Sequence, residues 1–72
     1  MTTAAAIALR VDGRAHAVPP GTTLAELVAS LGHEPQAVAT SIGGRFVARA
    51  SRAATALKAG DDVLLFKPIS GG

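Results

Sequence analysis

The residues with the most chemical meaning in this 72-residue chain stand at its end, Gly71 and Gly72. Neither has a side chain to bury, and an ordered glycine loses more backbone entropy than any other residue. Packing therefore gives no reason for the pair. A backbone without Cβ atoms is thin, so it can thread a narrow channel and carry the Gly72 carboxylate to a reaction centre. The other candidates are weaker. The chain has no cysteine, which excludes a disulfide, a thiolate zinc site and a catalytic thiol. Its two histidines, His16 and His33, are too few for a metal site without carboxylate help. They are far apart in sequence, and both are expected at the surface. Asp61 and Asp62 follow Gly60 and read as turn formers rather than as metal ligands. No side chain reads as catalytic.

Composition bounds what can position that carboxylate. Seventy-two residues make one small domain. Hydrophobic residues are 49% of the chain, too many for a disordered tail. Sixteen of them are alanine, however, and only eighteen are Val, Ile, Leu or Phe. A core of that size supplies about 3–5 kcal/mol, enough for a binding module and too little for a multidomain enzyme. The net charge is +2. Its cations (Arg10, Arg14, Arg45, Arg49, Arg52, Lys58 and Lys67) are scattered singly and read as solvated charges that keep the domain soluble. No basic run is interleaved with aromatic residues, so nucleic-acid binding is not expected. The first residues, Met1 to Ala6, lack the basic and apolar segments of a secretory signal. No apolar run has the length that crosses a bilayer, so the expected location is the cytoplasm.

Ile7, Leu9 and Val11 alternate with Ala8 and Arg10, the period of a strand. Asp12-Gly13 is a favoured two-residue hairpin turn, and Arg14 to Val18 reads as the return strand, ended by Pro19-Pro20-Gly21. Thr23 and Glu26 have the spacing of a capping box. Leu24, Leu27, Val28 and Leu31 then form one apolar stripe, which predicts an amphipathic helix of two to three turns stopped by Gly32 and Pro35. Ala37 to Ile42 reads as a third strand, Gly43-Gly44 as a tight turn, and Arg45 to Arg49 as a fourth strand carrying Phe46 and Val47. Ser51 to Leu57 is Ala-rich and predicts a short helical or 3₁₀ turn. After the Gly60-Asp61-Asp62 turn, Val63 to Phe66 is apolar on both faces, as a central strand is.

This order predicts an α+β fold of the β-grasp (ubiquitin-like) type. It has a mixed sheet of about five strands, one main helix on one face, and the last strand parallel to the first. Residues 7–68 would form the domain, 1–6 a flexible N-terminus and 69–72 a flexible tail. Alternation along the last strand puts Val63 and Leu65 under the helix and Leu64 and Phe66 on the open face. With Arg49 nearby, these two form a candidate partner-docking patch. The competing reading places them in a second small core under Ala50 to Leu57.

The whole chain from Ile7 to Gly72 resembles the ubiquitin-like sulfur-carrier family, and within it the thiamine-biosynthesis branch. The resemblance rests on the short first hairpin and the helix entry Pro20 to Leu27. It continues through the Phe46 to Arg49 strand, the Leu57-Lys58-Ala59-Gly60-Asp61 turn, and the Val63 to Phe66 strand followed by Gly71-Gly72. Gly43 stands where the family more often has Asn, which meets the same backbone demand.

The resemblance implies a protein co-substrate rather than an enzyme. An E1-like adenylyltransferase (ThiF type), using ATP and Mg²⁺, would adenylate the Gly72 carboxylate. A persulfide sulfur donor would convert it to a thiocarboxylate, and a thiazole synthase (ThiG type) would take the sulfur. Ile69, Ser70 and Gly71 would thread the partners' channels. The chain itself would bind no cofactor, and would be a monomer forming hetero-complexes. Alternatives are the small subunit of molybdopterin synthase, another sulfur carrier or lysine-linked modifier, and a plain β-grasp interaction module. The short connections favour the thiamine type over the molybdopterin subunit.

Overall fold

The computed structural model describes residues 6–67. The tail residues Ile69, Ser70, Gly71 and Gly72, and most of the expected flexible N-terminus, lie outside the described residues. The first two strands are β1 (Ile7–Val11) and β2 (Arg14–Val18), joined at Asp12-Gly13. Both turn residues have positive φ, +52° and +79°, the backbone of the hairpin turn whose twist matches that of its strands. One helix, α1 (Leu24–Ser30), follows. The remaining strands are β3 (Ala39–Ile42), β4 (Arg45–Val47) and β5 (Asp62–Phe66). A 3₁₀ turn at Pro35–Ala37 precedes β3, and a longer one at Arg49–Ala54 separates β4 from β5.

The sheet order is β2-β1-β5-β3-β4. β5 is central: it pairs parallel to β1 and antiparallel to β3. The two hairpins form the flanks. This is the mixed β-grasp sheet the sequence predicts, with the last strand parallel to the first.

The helix begins as its residues dictate. The Thr23 side chain accepts from the Glu26 backbone N–H at 3.2 Å, and a Glu26 carboxylate oxygen accepts from the Thr23 N–H at 2.9 Å. The capping box is therefore complete. Leu24, Leu27 and Val28 are buried together with Leu9, Val11, Val18, Val38, Leu57 and Val63. Backbone bonds from Leu24 to Thr55 (2.9 Å) and from Leu57 to Thr22 (2.8 Å) tie the helix entry to the chain after the second 3₁₀ turn.

Three expectations need correction. The third strand starts at Ala39 rather than Ala37. Pro35, with its preset φ, opens a 3₁₀ turn there, closed by the Ala37 N–H donating to Glu34 at 2.9 Å. The fourth strand ends at Val47 rather than Arg49, because Arg49 already begins the second 3₁₀ turn. Arg52 is not a solvated charge. It is 3% exposed, and its guanidinium donates from Nε to Thr40 Oγ1 (3.0 Å), from Nη1 to the Pro35 carbonyl (2.8 Å) and from Nη2 to the Val38 carbonyl (2.6 Å). The Thr40 hydroxyl in turn donates to the Val47 carbonyl at 2.9 Å. One cation thus pins both 3₁₀ turns to β3 and explains where β4 stops.

Candidate functional site

The central strand sets the site. Along β5, Val63 is fully buried and Leu65 packs against the core, while Leu64 and Phe66 are 43% and 46% exposed on the face away from the helix. They are surface residues, and no second core among the described residues covers them. The register extends the exposed patch sideways. Leu64 pairs with Ser41, Ser41 pairs with Phe46, and Phe66 pairs with Ala39. Directly opposed residues point to the same face, so Phe46, at 67% exposure, joins the same strip. The small Ser41 lies buried between its two large neighbours.

Phe46 was legible in principle. A two-residue turn at Gly43-Gly44, both with positive φ, pairs Ile42 with Arg45 and therefore Ser41 with Phe46. Reading that register beside the one between β3 and β5 would have shown three exposed large apolar side chains rather than two. Arg49 is exposed and lines a surface depression with Ala39 and Phe46, so it stands at the β4 side of the strip. Its position on a 3₁₀ turn rather than a strand follows from the Arg52 anchor three residues on. Burial lowers the pKa of Arg52, and the positive charge of Arg49 lowers it further. A guanidinium nevertheless stays protonated at neutral pH.

Two of the aspartates are engaged by backbone N–H groups. Asp61 accepts from the Lys58 backbone N–H at 2.7 Å, which closes the turn before β5 as the sequence suggests. Asp12 accepts from the Leu65 N–H at 3.0 Å. That bond continues the parallel ladder with a side chain where β1 has already turned away. His16 and His33, distant in sequence, line one depression with Arg14 at the end of the first hairpin. Among the described residues no group of three or more His, Cys, Asp or Glu is placed to hold a metal ion. No helix among them is long and apolar enough to cross a membrane.

Strand β5 runs toward the chain end, with Phe66 and Lys67 its last described residues. The exposed strip therefore adjoins the point from which residues 68–72 continue.

This architecture has solved counterparts. The crystal structure of a thiamine biosynthesis protein (ThiS) from Geobacter metallireducens superposes with a TM-score of 0.79 at 26% identity, covering 92% of this chain and 100% of that one. A solution NMR structure of a thiamine biosynthesis protein from the same organism gives a TM-score of 0.70 at 26% identity, covering 92% of this chain and 88% of that one. No curated protein matches. The family model that matches is that of the ThiS family, over residues 5–72, a span that includes the whole described domain and the terminal Gly71-Gly72. On this match and this fold, the chain belongs to the ThiS family of small carrier proteins.

Proposed function

We propose that this protein is the sulfur carrier of thiazole formation in thiamine biosynthesis, with the Gly72 carboxylate as its reacting group. The observation that carries the reading is that the family match runs through Gly72, on a domain whose last strand leads into that tail. A carboxylate is a poor electrophile, because its charge repels nucleophiles and oxide is a poor leaving group. Its oxygen attacks the α-phosphate of ATP on an E1-like (ThiF-type) adenylyltransferase with Mg²⁺, and pyrophosphate leaves. The outer sulfur of a persulfide then attacks the acyl-adenylate carbon, AMP leaves and an acyl disulfide forms. A thiol, supplied by the donor system or a small-molecule reductant, attacks the donor's sulfur in that S–S bond, is oxidised to a disulfide and expels the terminal sulfur on Gly72. The resulting Gly72 thiocarboxylate is a nucleophile and delivers its sulfur to a ThiG-type thiazole synthase. The protein acts as co-substrate. Ile69, Ser70 and Gly71 thread the partners' channels, and Leu64, Phe66, Phe46 and Arg49 form the face on which partners dock.

Intact-mass measurement after incubation with the activating enzyme, ATP, Mg²⁺ and a persulfide donor tests this directly. The expected product carries one sulfur in place of one oxygen. Deleting Gly72 is expected to abolish that shift and leave the thermal midpoint unchanged, because the last residue of a chain adds little to folding. An unshifted mass, under conditions in which an established carrier reacts, would reduce the protein to a binding module.

A further inference from the structure

We infer that the free edge of β2 is a second docking site, which takes an extended, acidic segment of a partner protein as a sixth strand of the sheet. β2 is an outermost strand. The two-residue turn makes Val11 and Arg14 a hydrogen-bonded pair, and pairs alternate along an antiparallel ladder. Leu9 with His16 and Ile7 with Val18 are then bonded pairs as well, given the register. Ala15 and Ala17 fall between them, so their N–H and C=O groups point away from β1 to the open edge. Their small, exposed side chains leave room above. The other edge, β4, has only three residues and offers one such outward-facing residue, Phe46. Pro19 and Pro20, which lack N–H groups, bound the β2 template at Val18.

The side chains say what kind of strand fits. On the helix side, Arg14 and His16 project from this edge and line a depression together with His33 from the chain after α1; Val11, Leu31 and Leu65 line it as well. A strand added at Ala15 and Ala17 places its alternate side chains beside Arg14 and His16. The guanidinium and the imidazoles are hydrogen-bond donors and seek acceptors. The one carboxylate in the depression, that of Asp12, is already engaged by the Leu65 N–H. The chain as a whole is cationic, at +2. A second copy is a poor occupant, because β2 contains Arg14 and His16 and no carboxylate. The depression reaches Leu65, near the end of β5, so a partner held there is anchored beside the start of the tail.

The test does not depend on Gly72 chemistry. The uniformly ¹⁵N-labelled protein is titrated with a short blocked peptide alternating valine and glutamate, and with its valine-lysine counterpart. The expected result is saturable shifts and slowed exchange at the Ala15 and Ala17 amides with the glutamate peptide only. Ala17→Pro removes an outward donor at a place where an edge strand tolerates proline, and is expected to abolish binding while the core resonances stay dispersed. Arg14→Glu, which leaves the backbone edge intact, is expected to weaken binding about tenfold or more. The inference is overturned by equal binding of the lysine peptide, by shifts confined to Phe46, Leu64 and Phe66, or by no saturable shift. Concentration-dependent shifts at Ala15 and Ala17 without peptide would give the edge to a second copy instead.

Discussion

Arg52 shows how much a single residue type leaves open. In sequence it is one of three arginines in eight residues, indistinguishable from Arg45 and Arg49. In the fold it is buried, and its three hydrogen bonds go to a hydroxyl and two carbonyls rather than to a carboxylate. Removing the guanidinium leaves those acceptors without a donor, at about 1–3 kcal/mol for each buried group left unsatisfied. Arg52→Met is therefore expected to cost about 3 kcal/mol or more, a large share of what so small a core supplies, read from the urea midpoint. Arg52→Lys keeps the charge but not the planar fork, and is expected to fall between the two. Gly72 is the opposite case. The role proposed for it rests on residue type and position in the chain alone.

At the scale of elements, α1 follows from its residues almost completely. Thr23, Glu26 and the stripe of Leu24, Leu27 and Val28 each have one structural consequence, and all of them are realised. Thr23→Ala is expected to cost about 1 kcal/mol through the lost cap, measured by chemical denaturation. Leu27→Ala, deep in the core, is expected to cost about 2–5 kcal/mol and to leave the domain largely unfolded. The connections were less legible. Pro35–Ala37 forms a 3₁₀ turn where the third strand is expected to start, and the 3₁₀ turn expected from Ser51 begins two residues earlier, at Arg49, where the fourth strand is expected to end. Alternating or Ala-rich stretches next to a strand carry no local signal for where the ladder stops. A long-range anchor, Arg52 on β3, decides it.

At the scale of the whole molecule, the sheet has one face against the helix and one face that carries Phe46, Leu64 and Phe66 toward solvent. Exposed apolar side chains contribute little to folding, so their loss should separate stability from function. The Leu64→Ala, Phe66→Ala double variant is expected to unfold cooperatively with a stability change of roughly 0.5 kcal/mol or less per site. It is expected to be adenylated more slowly by the activating enzyme, with the defect in KM. Adding Phe46→Ala should deepen that defect. Loss of cooperative unfolding in the double variant would place Leu64 and Phe66 in the core and remove the docking reading.

What the sequence determined by itself is what depends on neighbours in the chain. The hairpin turn at Asp12-Gly13, the capped helix, the doubly apolar last strand and the bare Gly71-Gly72 end are all read within a few residues. Only the tertiary structure decided which distant residues share a surface. It set Phe46 beside Leu64 across Ser41, brought His16 and His33 to one depression, and drew Arg52 inward while Arg49 stayed out. Register, crossover and burial are properties of pairs of segments, and the free energy that selects them is gained only when the sheet closes around β5 and the helix covers it.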